Sequence, residues 1–237
     1  MKYLKTYNKL FENNYTELHL TSDEDWSMVD NTTKKLFIEY RIDTFPKLPE
    51  NLIELNICNN YLKELPKLPN SLLTLYCYNN DIEKLPKLTK LPENLEVLSC
   101  WGNRLTELPV LPKSLQKLFI HNNQIEILPE LPEGLLILNC SNNLLEELPE
   151  LPKSLETLKF NDNTLIKLPE RITEELLEDN DEKWIKENAL KWILNKTEDF
   201  KLLKDYLSEK DKEKLEKIHP ELFTQDQFGF FGLKNDK

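Results

Sequence analysis

The sequence predicts a repeat solenoid. Stacked turns of chain contribute one short strand each to a parallel sheet on the concave face. An extended, polyproline-like convex side and helical caps complete the expected architecture. Three observations point to it. The 237 residues include 47 Leu, 24 Asn and 14 Pro against only 4 Gly. The leucines recur at a fixed spacing through residues 48–170. Twelve of the 14 prolines fall in two fixed slots of that spacing. Self-similarity with a period near 20 residues is the signature of quasi-one-dimensional folds, in which no unit buries its apolar face alone.

Six units start at Leu48, Leu68, Leu91, Leu111, Leu131 and Leu151. Five are 20 residues long, and the second is lengthened by three around Leu88-Thr89-Lys90. The shared pattern is L-P-x-x-L-x-x-L-x-[ICF]-x-x-N-x-[LI]-x-x-L-P-x. In the first unit the apolar slots are Leu48, Leu52, Leu55, Ile57, Leu62 and Leu65. Side chains alternate across a strand, so Leu55 and Ile57 point inward while Asn56 points out. The Asn slot holds Asn60, Asn80, Asn103, Asn123, Asn143 and Asn163. It lies where the chain leaves the sheet, and a short amide there can satisfy backbone groups that would otherwise be buried unpaired, so a stacked Asn ladder is expected. Two prolines per unit each remove a backbone donor and hold their predecessor extended, which excludes a convex helix.

The flanks read as caps. Residues 1–47 form an N-terminal cap with degenerate repeats. Leu18-His19-Leu20 and Leu36-Phe37-Ile38 are candidate strands, and Arg41 stands in the Asn slot of the second. Leu4, Tyr7, Leu10 and Phe11 have the spacing of a short amphipathic helix. Residues 171–237 lose the repeat and become helical. The expected helices are 182–195, a second capped by Thr197 and a third capped by Ser208, ahead of Pro220 and the apolar tail Phe228–Leu233. Such segments close the apolar ends that a solenoid otherwise exposes.

The core L-x-x-L-x-L-x-x-N-x-L resembles the leucine-rich repeat. The 20-residue form flanked by Leu-Pro is similar to the LPX subclass found in effector proteins of pathogenic bacteria. The resemblance covers residues 48–170 and implies a leucine-rich-repeat horseshoe that recognises proteins. Some LPX effectors carry a ubiquitin-ligase domain with a catalytic cysteine after the repeats. Here 237 − 170 = 67 residues follow them and no cysteine lies beyond Cys140, so that activity does not carry over to any residue. The segment ending Leu10-Phe11-Glu12 is similar to the start of some phage-internal proteins trimmed after Leu-x-Glu, which implies a virion-associated component instead.

The residues argue against other classes. The formal net charge of −11 repels nucleic acid, and the basic residues are dispersed among acids. No apolar run approaches the roughly 18–20 residues of a membrane span, and the N-terminus lacks the apolar core of a Sec signal peptide. A cytoplasmic location, the host cytosol for an effector, is therefore expected. His19, His121 and His219 have no partner at metal-ligand spacing. No metal, cofactor or catalytic residue is expected, and hence no enzyme. Cys77, Cys100 and Cys140 occupy an inward slot as small apolar groups, whereas Cys58 is expected to face out as the one candidate reactive thiol, with no obvious activating neighbour.

What remains is a surface. One outward column runs Asn56, Tyr76, Ser99, Phe119, Asn139, Lys159, and the next Cys58, Tyr78, Trp101, His121, Ser141, Asn161. Tyr76, Tyr78, Trp101, Phe119 and His121 should cluster on the concave face. A sheet face left uncovered normally carries polar side chains, and Trp and Tyr dominate interface hot spots. The expected function is non-catalytic recognition of a protein partner by a monomeric scaffold, with Trp101 and Tyr78 as anchors. The alternatives are a structural or virion-associated component without a specific ligand, and an adaptor that recruits an enzyme through residues 171–237.

Overall fold

The computed structural model describes residues 16–42, 45–85, 91–166, 168–169, 172, 176–177, 180, 185 and 207–218. Eight strands form one sheet in chain order: β1 (Thr16–Leu20), β2 (Thr33–Ile38), β3 (Glu54–Asn56), β4 (Thr74–Tyr76), β5 (Val97–Ser99), β6 (Lys117–Phe119), β7 (Ile137–Asn139) and β8 (Thr157–Lys159). Every neighbouring pair is parallel. The register aligns Leu18, Leu36, Leu55, Leu75, Leu98, Leu118, Leu138 and Leu158 in one row, so a single leucine per turn stacks along the whole molecule. Both candidate strands ahead of the six repeats are therefore present as β1 and β2. No helix connects β3 to β8 among the described residues, as two prolines per turn require.

Two hydrogen-bonding devices help to close the turns, one in every unit and one in three of them. After every unit's opening Leu-Pro, the apolar residue three positions beyond the proline donates its N–H to the proline carbonyl, a β-turn. It runs from Leu52 to Pro49 through Leu155 to Pro152, at 3.0–3.2 Å. Ser71, Ser114 and Ser154 donate Oγ to two carbonyls of the preceding turn, Ser71 to Glu50 at 2.8 Å and to Leu52 at 2.6 Å. Inside, the leucines pack with Ile57, Cys77, Cys100, Ile120, Cys140 and Phe160 into one continuous core.

The N-terminal turns differ. β1 and β2 are longer, and a 3-10 turn at Asp23–Met28 joins them. The Asp25 carboxylate anchors that turn, accepting from the Thr21 N–H at 2.7 Å, its hydroxyl at 3.1 Å and the Ser22 N–H at 3.0 Å. Those bonds, the Thr21 amide foremost, hold its carboxyl below the usual range. Trp26 donates Nε1 to the Tyr40 hydroxyl at 2.6 Å, which in turn donates to Asp23 at 2.9 Å.

At the other end the solenoid runs further than the repeat pattern. Ile172 donates to the Pro169 carbonyl at 3.2 Å, repeating the Pro-x-x-apolar turn once more. Ile172, Leu176, Leu177, Ile185 and Leu207 join the core. Asn180 then bonds the outer side of β8 as a further strand would. Its Oδ1 accepts from the Phe160 N–H at 2.8 Å, and its Nδ2 donates to the Leu158 carbonyl at 2.8 Å and to Leu176 at 3.0 Å. In the preceding turn the equivalent amide, Cys140, donates to a strand carbonyl, that of Lys159. A side-chain amide thus replaces a peptide unit at the sheet edge. The helix α1 (Glu209–Ile218) begins directly after Ser208. The expected helices at 1–12, 182–195 (apart from Ile185) and after Thr197, and the tail 228–233, lie outside the described residues.

Candidate interaction surface

The turn that follows each strand decides where the outward side chains stand. Its first residue lies in the left-handed region: Asn59, Asn79, Gly102, Asn122, Asn142 and Asp162 have φ between 52° and 64°. Asn, Asp and Gly are the residues that enter this region at least cost. Next comes the ladder Asn. Asn103 is typical: Oδ1 accepts from the Ile82 N–H at 3.0 Å, and Nδ2 donates to the carbonyls of Cys77 at 3.1 Å, Cys100 at 2.9 Å and Trp101 at 3.3 Å. Asn80, Asn123, Asn143 and Asn163 repeat these bonds. Each amide therefore ties its own strand end to that of the preceding turn. Asn60 bonds within its own turn and accepts from the Ile42 N–H at 3.2 Å.

The strand ends so fixed carry the aromatic residues. Tyr78 stacks on Trp101 with ring centroids 4.6 Å apart and planes 7° from parallel, and Trp101 stacks on His121 at 5.0 Å and 12°. In the adjacent column the register places Tyr76, Ser99 and Phe119 side by side. Tyr76, Tyr78, Trp101, Phe119 and His121 are all half-buried, so each keeps surface open to solvent. Ser99, expected to be exposed, is only 4% exposed. The register sets it between the larger side chains of Tyr76 and Phe119 on the neighbouring strands.

Cys58 requires a correction. It follows β3 in the outward column, yet it is only 8% exposed, and burial raises its thiol to about 11. The Cys58 and Tyr78 side chains interact. The thiol stays protonated and is not a reactive group at neutral pH. Cys77, Cys100 and Cys140 are fully buried in the inward slot, and burial pushes Cys100 and Cys140 to about 12.

His121 is held below the ordinary imidazole range, first by burial and then by the Lys159 charge. Its Nδ1 is buried without a hydrogen-bond partner, so protonation there would add an unsatisfied donor. His19 contrasts with it. Its ring stacks on Phe37 at 4.5 Å, and its nitrogens face Glu39 at 2.6 Å and Glu17 at 3.1 Å. Burial alone would lower its pKa, but the two carboxylates outweigh that and raise it. Among the described residues no group of three His, Cys, Asp or Glu is placed to hold a metal ion, and no helix is long and apolar enough to cross a membrane.

The left-handed column and Asn180 are the structural residues that sequence reasoning missed. The first had a visible signal, since the position before each ladder Asn holds only Asn, Gly or Asp. The second had none, because Asn180 follows a break in the pattern.

Parallel strands, a leucine row and an asparagine ladder define a leucine-rich-repeat protein, and the chain belongs to that family. The family model for leucine-rich repeats (2 copies) matches residues 93–133. Among solved structures, YopM from Yersinia enterocolitica is 36% identical over 64% of this chain and 32% of its own, with a TM-score of 0.57. YopM from Yersinia pestis, described as a leucine-rich effector protein, is 34% identical over 70% of this chain and 49% of its own, with a TM-score of 0.58. A Shigella effector leucine-rich-repeat domain is 33% identical over 65% of this chain and 67% of its own, with a TM-score of 0.55. The chain thus spans 32% and 49% of the length of the two YopM chains. Comparison with curated proteins finds no match. The repeat fold and its effector neighbours are those of a protein-interaction scaffold.

Proposed function

We propose that this chain is a non-catalytic recognition scaffold of the LPX type that binds a partner protein on its concave face, with Trp101 and Tyr78 as the central anchors. The observation that carries the reading is the Tyr78–Trp101–His121 stack on a sheet face left uncovered by any described helix. Stacking along the ladder contributes roughly 0.2–1 kcal/mol per pair to the sheet. It satisfies the ring faces only, and the half-exposed remainder is the surface that a partner would bury. The resemblance to bacterial effectors supports a scaffold acting in a host cytoplasm. The burial of Leu176, Leu177, Ile185 and Leu207, with Asn180 on the sheet edge, supports a capping role for the C-terminal segment over an adaptor role.

The double substitution Trp101→Ala with Tyr78→Ala tests this. Both side chains are half-buried on the outside of the sheet, so the fold survives. Truncating one hot-spot residue commonly costs about 2 kcal/mol, a roughly 30-fold loss of affinity. A partner captured from host cells by the wild-type chain should fall away from the double variant by at least that factor. Unchanged affinity refutes concave-face recognition.

A further inference from the structure

The charges on the concave face are sorted along its length. At the N-terminal end every charge is answered. Lys35 lies 3.2 Å from Glu54 and 4.0 Å from Glu17, and His19 lies between Glu17 and Glu39. From β4 to β8 the outward strand positions carry no carboxylate at all, in a chain with 42 acidic and 31 basic residues. They carry two lysines, Lys117 on β6 and Lys159 on β8, both exposed. Neither makes an ion pair among the described residues. The nearest acids in sequence, Glu96, Glu156 and Asp162, stand just before or just after the strands, outside the outward rows.

These lysines continue the aromatic surface. Lys117 is on the strand that carries Phe119 and leads into His121. Lys159 is close enough to act on the His121 ring. Two strands and two residues separate the lysine backbones, on the order of 12 Å. That matches carboxylates three to four residues apart on an extended chain. His121, neutral at pH 7, adds no charge of its own.

Resting on the concave-face reading, we propose that the partner presents an acidic extended segment. An aromatic or large apolar side chain would pack on Trp101 and Phe119, and Asp or Glu side chains would meet Lys117 and Lys159. Complementary charge of this kind selects among partners and speeds encounter more than it adds affinity. In an acidic protein, an uncompensated basic strip beside the anchors admits acidic segments to the groove while the rest of the surface repels them.

The test is selection from a phage-displayed random peptide library on the full chain. Binders should be enriched in Asp and Glu around one aromatic or large apolar residue. Their affinity should fall about tenfold or more in the Lys117→Gln, Lys159→Gln double variant. It should also weaken between about 50 and about 300 mM salt. Binders that need Trp101 but show no acidic enrichment, and ignore the lysine variant, overturn the acidic-segment inference alone. Binders indifferent to Trp101→Ala, or a library that yields none, overturn the concave-face reading with it.

Discussion

Replacing Asn103 by Ala isolates what one rung of the ladder contributes. Four bonds disappear, but they are not equivalent. The Cys77 carbonyl keeps Asn80 at 3.0 Å, the Cys100 carbonyl keeps Asn123 at 3.1 Å, and the Trp101 carbonyl keeps the Asn79 N–H at 3.0 Å. The Ile82 N–H has no other acceptor among those bonds and becomes a buried orphan. An orphaned donor costs about 1–3 kcal/mol, and the shared bonds add a fraction of the usual ~1 kcal/mol each, so the expected loss is about 2–4 kcal/mol. Asn103→Asp separates the two contributions. It restores an acceptor for Ile82 but sets a buried carboxylate against three carbonyls, so at neutral pH it should destabilise at least as much as Ala. Urea unfolding followed by far-UV circular dichroism reads both variants. A loss below about 1 kcal/mol for Ala, or an Asp variant as stable as wild type at pH 7, would refute the account.

Three further outcomes follow from the geometry. Gly102→Ala should cost about 1–2 kcal/mol in thermal unfolding, because φ is 64° there and the added Cβ would meet the Asn79 Oδ1 at 2.5 Å. Asn180→Ala should expose the β8 edge, so the Phe160 amide loses hydrogen-exchange protection while the Cys140 amide, one turn inside, keeps it. By NMR the His19 imidazole should titrate above the ordinary 6.5 and His121 below it. The His19 contribution to stability is then present below pH 6.5 and lost as pH rises through its raised pKa. The His121 contribution is present above pH 6.5 and lost as pH falls through its lowered one.

Much of the fold was legible because the repeat imposes one environment on each slot six times. Leu55, Leu75 and Leu98 share a slot, so any one identifies the others as core. The same averaging makes the ladder Asn visible. Cys58 and Ser99 escaped because their burial is set by unlike neighbours. A period-2 pattern gives a side chain's direction, not what overhangs it. Burial on a narrow outer column depends on whether the next strand carries Tyr or Ser. Asn180 escaped for a different reason. It works by imitating a backbone unit of a further strand, and a single polar residue past the pattern carries no periodic signal.

The turn chemistry and the recognition surface are one arrangement. The left-handed residue reverses the chain so that the ladder Asn can reach carbonyls of two turns, its own and the preceding one. Those carbonyls belong to the strand ends, so the bonds that hold turn to turn also fix the spacing of the outward side chains. Tyr78, Trp101 and His121 sit directly on that frame, because the main-chain carbonyls of all three accept from ladder amides, those of Asn80, Asn103 and Asn123. Their near-parallel stacking follows from the repeat spacing. Stability therefore resides in the slots that recur and selectivity in the slots that vary, and exchanging an outward residue changes the partner surface while leaving the ladder untouched.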